Sequence, residues 1–258
     1  MMLTLQDLLR TRTTQPSLNK AMYFNGINSY VEGAISFSWG GVGYEASFEA
    51  LIAIEPRDIP STYTWGYGHS GVNTLYNHWQ GGWLGVGYAG SAGSIATDVK
   101  PVLYYWNFPV WVNVSLAFRT WHHMVGTFKP LDKDVVRFEL YLNGSRVYAN
   151  NITYSGIGSA TGVSSVFRFG LDNAWRGLRF KGYIAVARIY RKVLSGSEVT
   201  HNMRFINNPV RDKLVLWIDA RACDASKCYD LSGNNYYGNL YNVTIISFSN
   251  PIGVGGRL

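Results

Sequence analysis

The chain has 258 residues, 47% hydrophobic and 15% charged, with 15% aromatics and a formal net charge of +7. That composition can bury a sizeable core and still leave Tyr and Trp for the surface, and no apolar run approaches the roughly 18 residues that a membrane-spanning helix needs. Lys and Arg are scattered, with no basic run and no nucleic-acid motif, which argues against specific nucleic-acid binding.

Residues 1–20 read as an N-terminal arm or linker. Asp7, Arg10 and Arg12 stand where a signal peptide needs an apolar core, so a secretion signal is either lacking or already lost. Leu5, Leu8 and Leu9 fall at helical spacing, and the arm reads as a frayed tail or as a small docking arm onto a neighbouring subunit. Residues 21–258 are expected to form one sandwich, with the element at 214–258 completing it. Glu45 and Glu49 are evenly spaced on a predicted strand and are expected to be solvated, because no Asp stands between them as glycosidase chemistry would require.

The stretch from Thr64 to Tyr88 is the strongest candidate surface for recognition. Glycines interrupt its strands, Trp79, Trp83 and Tyr88 offer flat faces, and Asn77 and His78 offer hydrogen-bonding edges. Sugars need that combination, since their C–H faces pack on rings while their hydroxyls seek polar partners. Trp175, with Asp172 and Asn173, forms a smaller second grouping. Alternating aromatics also build ordinary cores, so at least half of these rings are expected to be buried.

His122 and His123 follow Trp121 on a strand, and one of them is expected to face inward as a hydrogen-bonded core histidine. Phe138, Leu140 and Leu142 alternate with Arg137, Glu139 and Tyr141, and Asn143-Gly144 is a strong hairpin signal. Tyr183, Ala185, Ala187 and Ile189 are expected on one strand face, with Ile184 and Val186 on the other. Ser195 followed by Glu198 predicts a capping box that opens a helix. Cys223 and Cys228 are the only cysteines. A small-loop disulfide is the preferred reading and two buried thiols the alternative, while a zinc site lacks a second ligand pair. Of four N-x-S/T triplets, Asn143 is explained by its turn, and Asn151 and Asn242 are the glycan-carrier candidates. Asn113 heads the fourth.

Four segments carry a family resemblance. Met22 to Gly33 (MYFNGINSYVEG) resembles an "F-D-G-x-x-D-Y-V" strand, and Trp121 to Leu142 with Asn143-Gly144 is similar to a "W-H-H-V-x-x-T-F … L-Y-x-N-G" hairpin. Val166 to Met203 resembles a closing "G-x-I-x-x-x-R-I-Y-x-x-x-L-S-x-x-E", and Leu214 to Asn242 resembles "L-x-L-W-L-D-A … D-L-S-G-N-x-x-x-G-x-L-Y-N". These are the marks of laminin G-like, concanavalin A-like jelly-roll domains. The resemblance implies an all-β sandwich of two antiparallel sheets with one short helix. Its last element usually comes first, so either the domain is circularly permuted here, which is the favoured reading, or a second such element begins at Leu214.

Many relatives bind calcium, yet Asn25 and Ser29 replace the acidic positions of the first motif, and Ala185 and Val186 those of an "I-D-E-V" in the third. No cofactor is therefore expected, with a calcium ion at Asp172 and Asp230 as the open alternative. No "E-x-D-x-x-E" strand, G-x-S-x-G or H-E-x-x-H is present, so no catalytic residues are assigned and a glycoside hydrolase is the minor alternative. The expected function is a non-catalytic module for glycan binding or adhesion, with glycans or glycoproteins as partners, at the cell exterior or on a virion. The alternative is a structural component of an extracellular or virion assembly with other subunits as partners, because the Trp217 to Asn234 segment resembles virion surface proteins of archaeal viruses.

Overall fold

The computed structural model describes residues 18–40, 45–59, 67–76, 82–89, 93–105, 108–156, 161–171 and 179–258. The strands are β1 (Lys20–Asn25), β2 (Tyr30–Gly40), β3 (Ala46–Ile54), β4 (Tyr67–Tyr76), β5 (Gly82–Ala89) and β6 (Asp98–Tyr105). They continue as β7 (Phe108–Trp111), β8 (Trp121–Pro130), β9 (Val135–Leu142), β10 (Ser145–Thr153), β11 (Thr161–Phe169) and β12 (Lys181–Tyr190). Helix α1 (Gly196–Arg204) follows, and then β13 (Leu214–Cys223), β14 (Lys227–Asp230), β15 (Tyr237–Tyr241) and β16 (Thr244–Ser247).

Pairing is antiparallel throughout and runs β10-β9-β8-β3-β12-β13-β14-β15-β2-β11-β4-β5-β6-β7, with β1 joining β12 and β16. The path folds over at β13–β14 to give two layers. Phe48, Phe128 and Phe138 of the first layer meet Tyr105 of the second in a cluster of edge-on and stacked rings. Gly126 lets the layers approach closely, since a Cβ there would stand 2.4 Å from the Leu103 side chain. This is the jelly-roll sandwich of concanavalin A-like proteins. Both β13 and β15 are hydrogen-bonded into it, β13 against β12 and β15 against β2.

Local signals explain several elements. Asn143 and Gly144 both take positive φ, 50° and 80°, the mirror-image turn that matches the twist of β9 and β10. Ser195 caps α1 in a capping box with Glu198, whose carboxylate accepts from the Ser195 N–H at 2.8 Å.

β12 departs from simple alternation. Ile184 faces the inter-layer core while Ala185 and Val186 both join the outer cluster, and Ala187 and Ile189 return to the core. The cause is a bulge at Ala185, where Ile184 pairs with Ile52 but Val186 pairs with Leu51. One extra residue reverses the phase of everything beyond it. Tyr183 and Ala185 therefore do not share a face with Ala187 and Ile189.

The outer side of the first layer is covered rather than solvated. Leu51, Ala53, Trp121, Tyr190, Val199 of α1 and Ile252 form a second apolar cluster there. Glu49 lies beneath this cover and is fully buried, which corrects the expectation of a solvated glutamate. Its Oε1 accepts from Arg188 at 2.6 Å and from His123 Nε2 at 2.8 Å, and its Oε2 accepts from Asn202 Nδ2 at 2.8 Å. Burial alone would push this carboxyl up, but the Arg188 charge and the hydrogen bonds from His123 and Asn202 outweigh it and hold the group at about 2. His122 and His123 are both buried, so the pair contributes two core histidines instead of one.

Candidate functional site

The outer face of the second layer is built by register. Lys227 pairs with Asn239, Asn239 with Glu32, Glu32 with Arg168, Arg168 with Thr74, Thr74 with Trp83, Trp83 with Tyr104 and Tyr104 with Pro109. Directly opposed residues share a face, so one row crosses eight strands from β14 to β7. The rows on either side of it, one with Cys228 and Phe167 and the other with Val31, Leu84 and Leu103, are buried in the core. Tyr229, Tyr237, Tyr241 and Tyr30 stand two residues along from the first row and lie on the same outer side.

At the β7 end, Trp111 reaches across β6 onto β5. A Cβ on Gly87 would stand 1.9 Å from the Trp111 ring, so only glycine leaves room for the indole to seat against the backbone there. Lys100, Trp111, Val112 and Asn113 line an open pocket of about 260 Å³. The Lys100 ammonium donates to Asn113 Oδ1 at 2.7 Å and lies 3.8 Å from Asp98. A half-buried indole beside a fixed ammonium and an amide gives one apolar wall and several hydrogen-bonding groups. Midway along the row, Arg168 and Glu32 form an ion pair at 2.6 Å.

The residues singled out from sequence fall in three places. Asn77, His78, Trp79, Asp172 and Trp175 lie outside the described residues. Trp83 lies on β5 as the register partner of Tyr104. Tyr88 is fully buried, with its ring under the Arg57 guanidinium and its hydroxyl 3.3 Å from both the N–H and the carbonyl of Lys181. A ring with no exposed face cannot stack on a sugar, so Tyr88 is a core residue in this fold. Trp111, Lys100, Asn113 and Tyr104 were not anticipated. The alternation of β6, with Lys100 and Tyr104 on one side and Val99 and Leu103 on the other, is the signal that could have found two of them.

Cys223 and Cys228 are joined as a disulfide. Asn151 on β10 and Asn242 after β15 are both exposed. Asp230 spends its carboxylate locally, accepting from the N–H groups of Trp217 and Ser232 and from the Ser232 hydroxyl. Among the described residues no group of three or more His, Cys, Asp or Glu is placed to hold a metal, and no helix is long and apolar enough to cross a membrane.

Among the described residues, two antiparallel layers and one short capped helix make a concanavalin A-like sandwich. The chain belongs to the concanavalin A-like lectin/glucanases superfamily, whose family model matches residues 63–200. Among solved structures it is similar to a candidate carbohydrate binding protein from Bacteroides ovatus, at 15% identity and TM-score 0.62. That likeness covers 92% of this chain, which spans 62% of the Bacteroides chain. It is also similar to the native heptameric SAP-like pentraxin of Limulus polyphemus, at 10% identity and TM-score 0.53, covering 87% of this chain and 96% of that one. At such identities the likeness concerns the fold alone. Among curated proteins none matches the sequence significantly.

Proposed function

We propose that this chain is a non-catalytic glycan-binding module, displayed outside the cell or on a virion, whose binding surface is the outer face of the second layer. The observation that carries the reading is the Trp111 indole seated on Gly87, with Lys100 and Asn113 at its edge. Trp83, register partner of Tyr104, extends that face toward the β4–β5 connection, where Asn77, His78 and Trp79 occur in the sequence. Trp175 belongs to the same proposal as a second contact.

Trp111→Ala should weaken glycan binding about tenfold, because covering one ring face contributes roughly 1.5 kcal/mol. Glycan-array titration with the melting temperature as a fold control measures this, and Trp79→Ala and Trp83→Ala extend it along the face. A variant that binds as well as wild type would remove Trp111 from the site. If the array is blank for every glycan while deletion of residues 1–17 blocks incorporation into a particle, the protein is a structural subunit instead.

Polysaccharide hydrolysis should stay at background. Glu49 is sealed beneath α1 with Arg188, and Glu45 is held by Lys129 at 3.2 Å, so no carboxyl pair flanks an open groove at the two glutamates. Reducing-sugar release that disappears on Glu45→Gln would reverse this conclusion.

A further inference from the structure

The Trp111 pocket is one end of the outer face, and the other end also carries open rings with cations against them. Tyr30 and Tyr241 stack with centroids 4.4 Å apart and planes at 12°, and the Arg179 guanidinium lies 5.5 Å over Tyr30. Tyr237, 46% exposed, stands opposite Tyr229, 50% exposed, with the Lys227 ammonium 4.5 Å above the Tyr237 ring. Charge is distributed unevenly along the row. Lys100 is matched by Asp98 and Arg168 by Glu32, whereas Lys227 and Arg179 form no ion pair with a carboxylate among the described residues. Asp224 and Asp230, each three residues from Lys227, are already engaged, Asp224 by the N–H groups of Ser226 and Lys227 and the Tyr229 hydroxyl, and Asp230 by the N–H groups of Trp217 and Ser232.

We propose that the face binds an acidic glycan chain lengthwise, with neutral sugar rings at Trp111 and carboxylate- or sulfate-bearing residues at the other end, one against Lys227 over Tyr237 and one against Arg179 over Tyr30, whose partner Tyr241 stands four residues from Tyr237 along β15. This rests on the glycan-binding reading and adds the ligand's charge and length. From β7 to β15 is six inter-strand steps, about 29 Å at ~4.8 Å per step. A short oligosaccharide reaches one end only. A longer chain reaches both, and its second contact is then intramolecular, which multiplies affinity without any new chemistry.

The test is an array of sulfated and uronic-acid oligosaccharides of graded length, each with its desulfated or carboxyl-reduced counterpart, titrated against the full chain. Long acidic chains should bind about ten- to a hundredfold more tightly than short ones, and Lys227→Gln and Tyr237→Ala should each abolish most of that gain at an unchanged melting temperature. Charge-stripped long chains should bind wild type and Lys227→Gln alike, and the acidic preference should fall as salt is raised. Binding that is lost in Trp111→Ala but is indifferent to length and charge would overturn this inference and leave the glycan-binding function standing. An array blank for every chain would overturn both.

Discussion

Arg188→Met should lower the melting temperature by roughly 6–20 °C, since breaking a buried ion pair from one side costs about 3–5 kcal/mol and each kcal/mol moves a domain of this size by about 2–4 °C. Removal of the guanidinium leaves Glu49 charged, fully buried and short of its strongest partner. It also frees the Ile206 carbonyl, which accepts from Arg188 Nη2, and removes one of two guanidinium groups over Trp217, Arg188 at 5.0 Å and Arg211 at 4.6 Å. Glu49→Gln should also destabilise, because an amide has one acceptor oxygen where the carboxylate has two, and its NH2 then faces either the Asn202 donor or the Arg188 and His123 donors. The double replacement Glu49→Leu with Arg188→Met should be more stable than Arg188→Met alone, since no buried charge is then stranded. The same carboxylate sets an acid limit. Its folded pKa, about 2, lies below the unfolded value near 4.5, so its contribution is complete above about pH 4.5 and is lost as pH falls toward 2. Calorimetric melts of wild type and Glu49→Gln should therefore converge across that window. Curves that stay parallel from pH 5 to pH 2 would contradict the assignment.

Deletion of residues 214–258 should leave a chain that does not fold, rather than a trimmed sandwich. Leu216, Ile218, Ala220 and Cys228 are buried in the inter-layer core, and Trp217 and Ile252 in the outer cluster. Each large apolar side chain contributes about 1.5–3 kcal/mol, so these losses rival a whole net stability of about 5–15 kcal/mol. The deletion also strips β12 of β13, β2 of β15 and β1 of β16, opening ladders inside the path. Far-UV circular dichroism and a thermal melt on residues 1–213 give the answer. A cooperative transition would mean that the C-terminal element is an accessory, and that the usual order of the motifs was cut at a dispensable place.

Elements set by neighbours in the chain were legible in the sequence. The β9–β10 hairpin follows from Asn143-Gly144, α1 from Ser195 and Glu198, and the core face of β9 from Phe138, Leu140 and Leu142. What depended on distant pairing was not. Glu49 looked solvated because nothing near it in sequence announces that α1 and Arg188, about 140 positions on, will cover it. Trp111 gained its role from Gly87, two strands away in space. The outer row could not be foreseen either, because its strands arrive in the order β14, β15, β2, β11, β4, β5, β6, β7. Tyr88 was misjudged for the opposite reason. Its chain neighbours are glycines and aromatics on both sides of the sheet, and only the register shows which row faces in.

The bulge at Ala185 bears on how this chain is compared with others. Without the extra residue, Ala187 and Ile189 would turn outward beneath α1 and Arg188 would enter the apolar core. In the closing motif "G-x-I-x-x-x-R-I-Y" the Ile and the Arg stand four residues apart, a spacing that would set both on one face of a regular strand. Here Ile184 faces the core and Arg188 faces Glu49, which only the bulge between them allows. The spacing is thus itself a mark of the bulge, and an even number of residues that ends on opposite faces is what to look for in another chain.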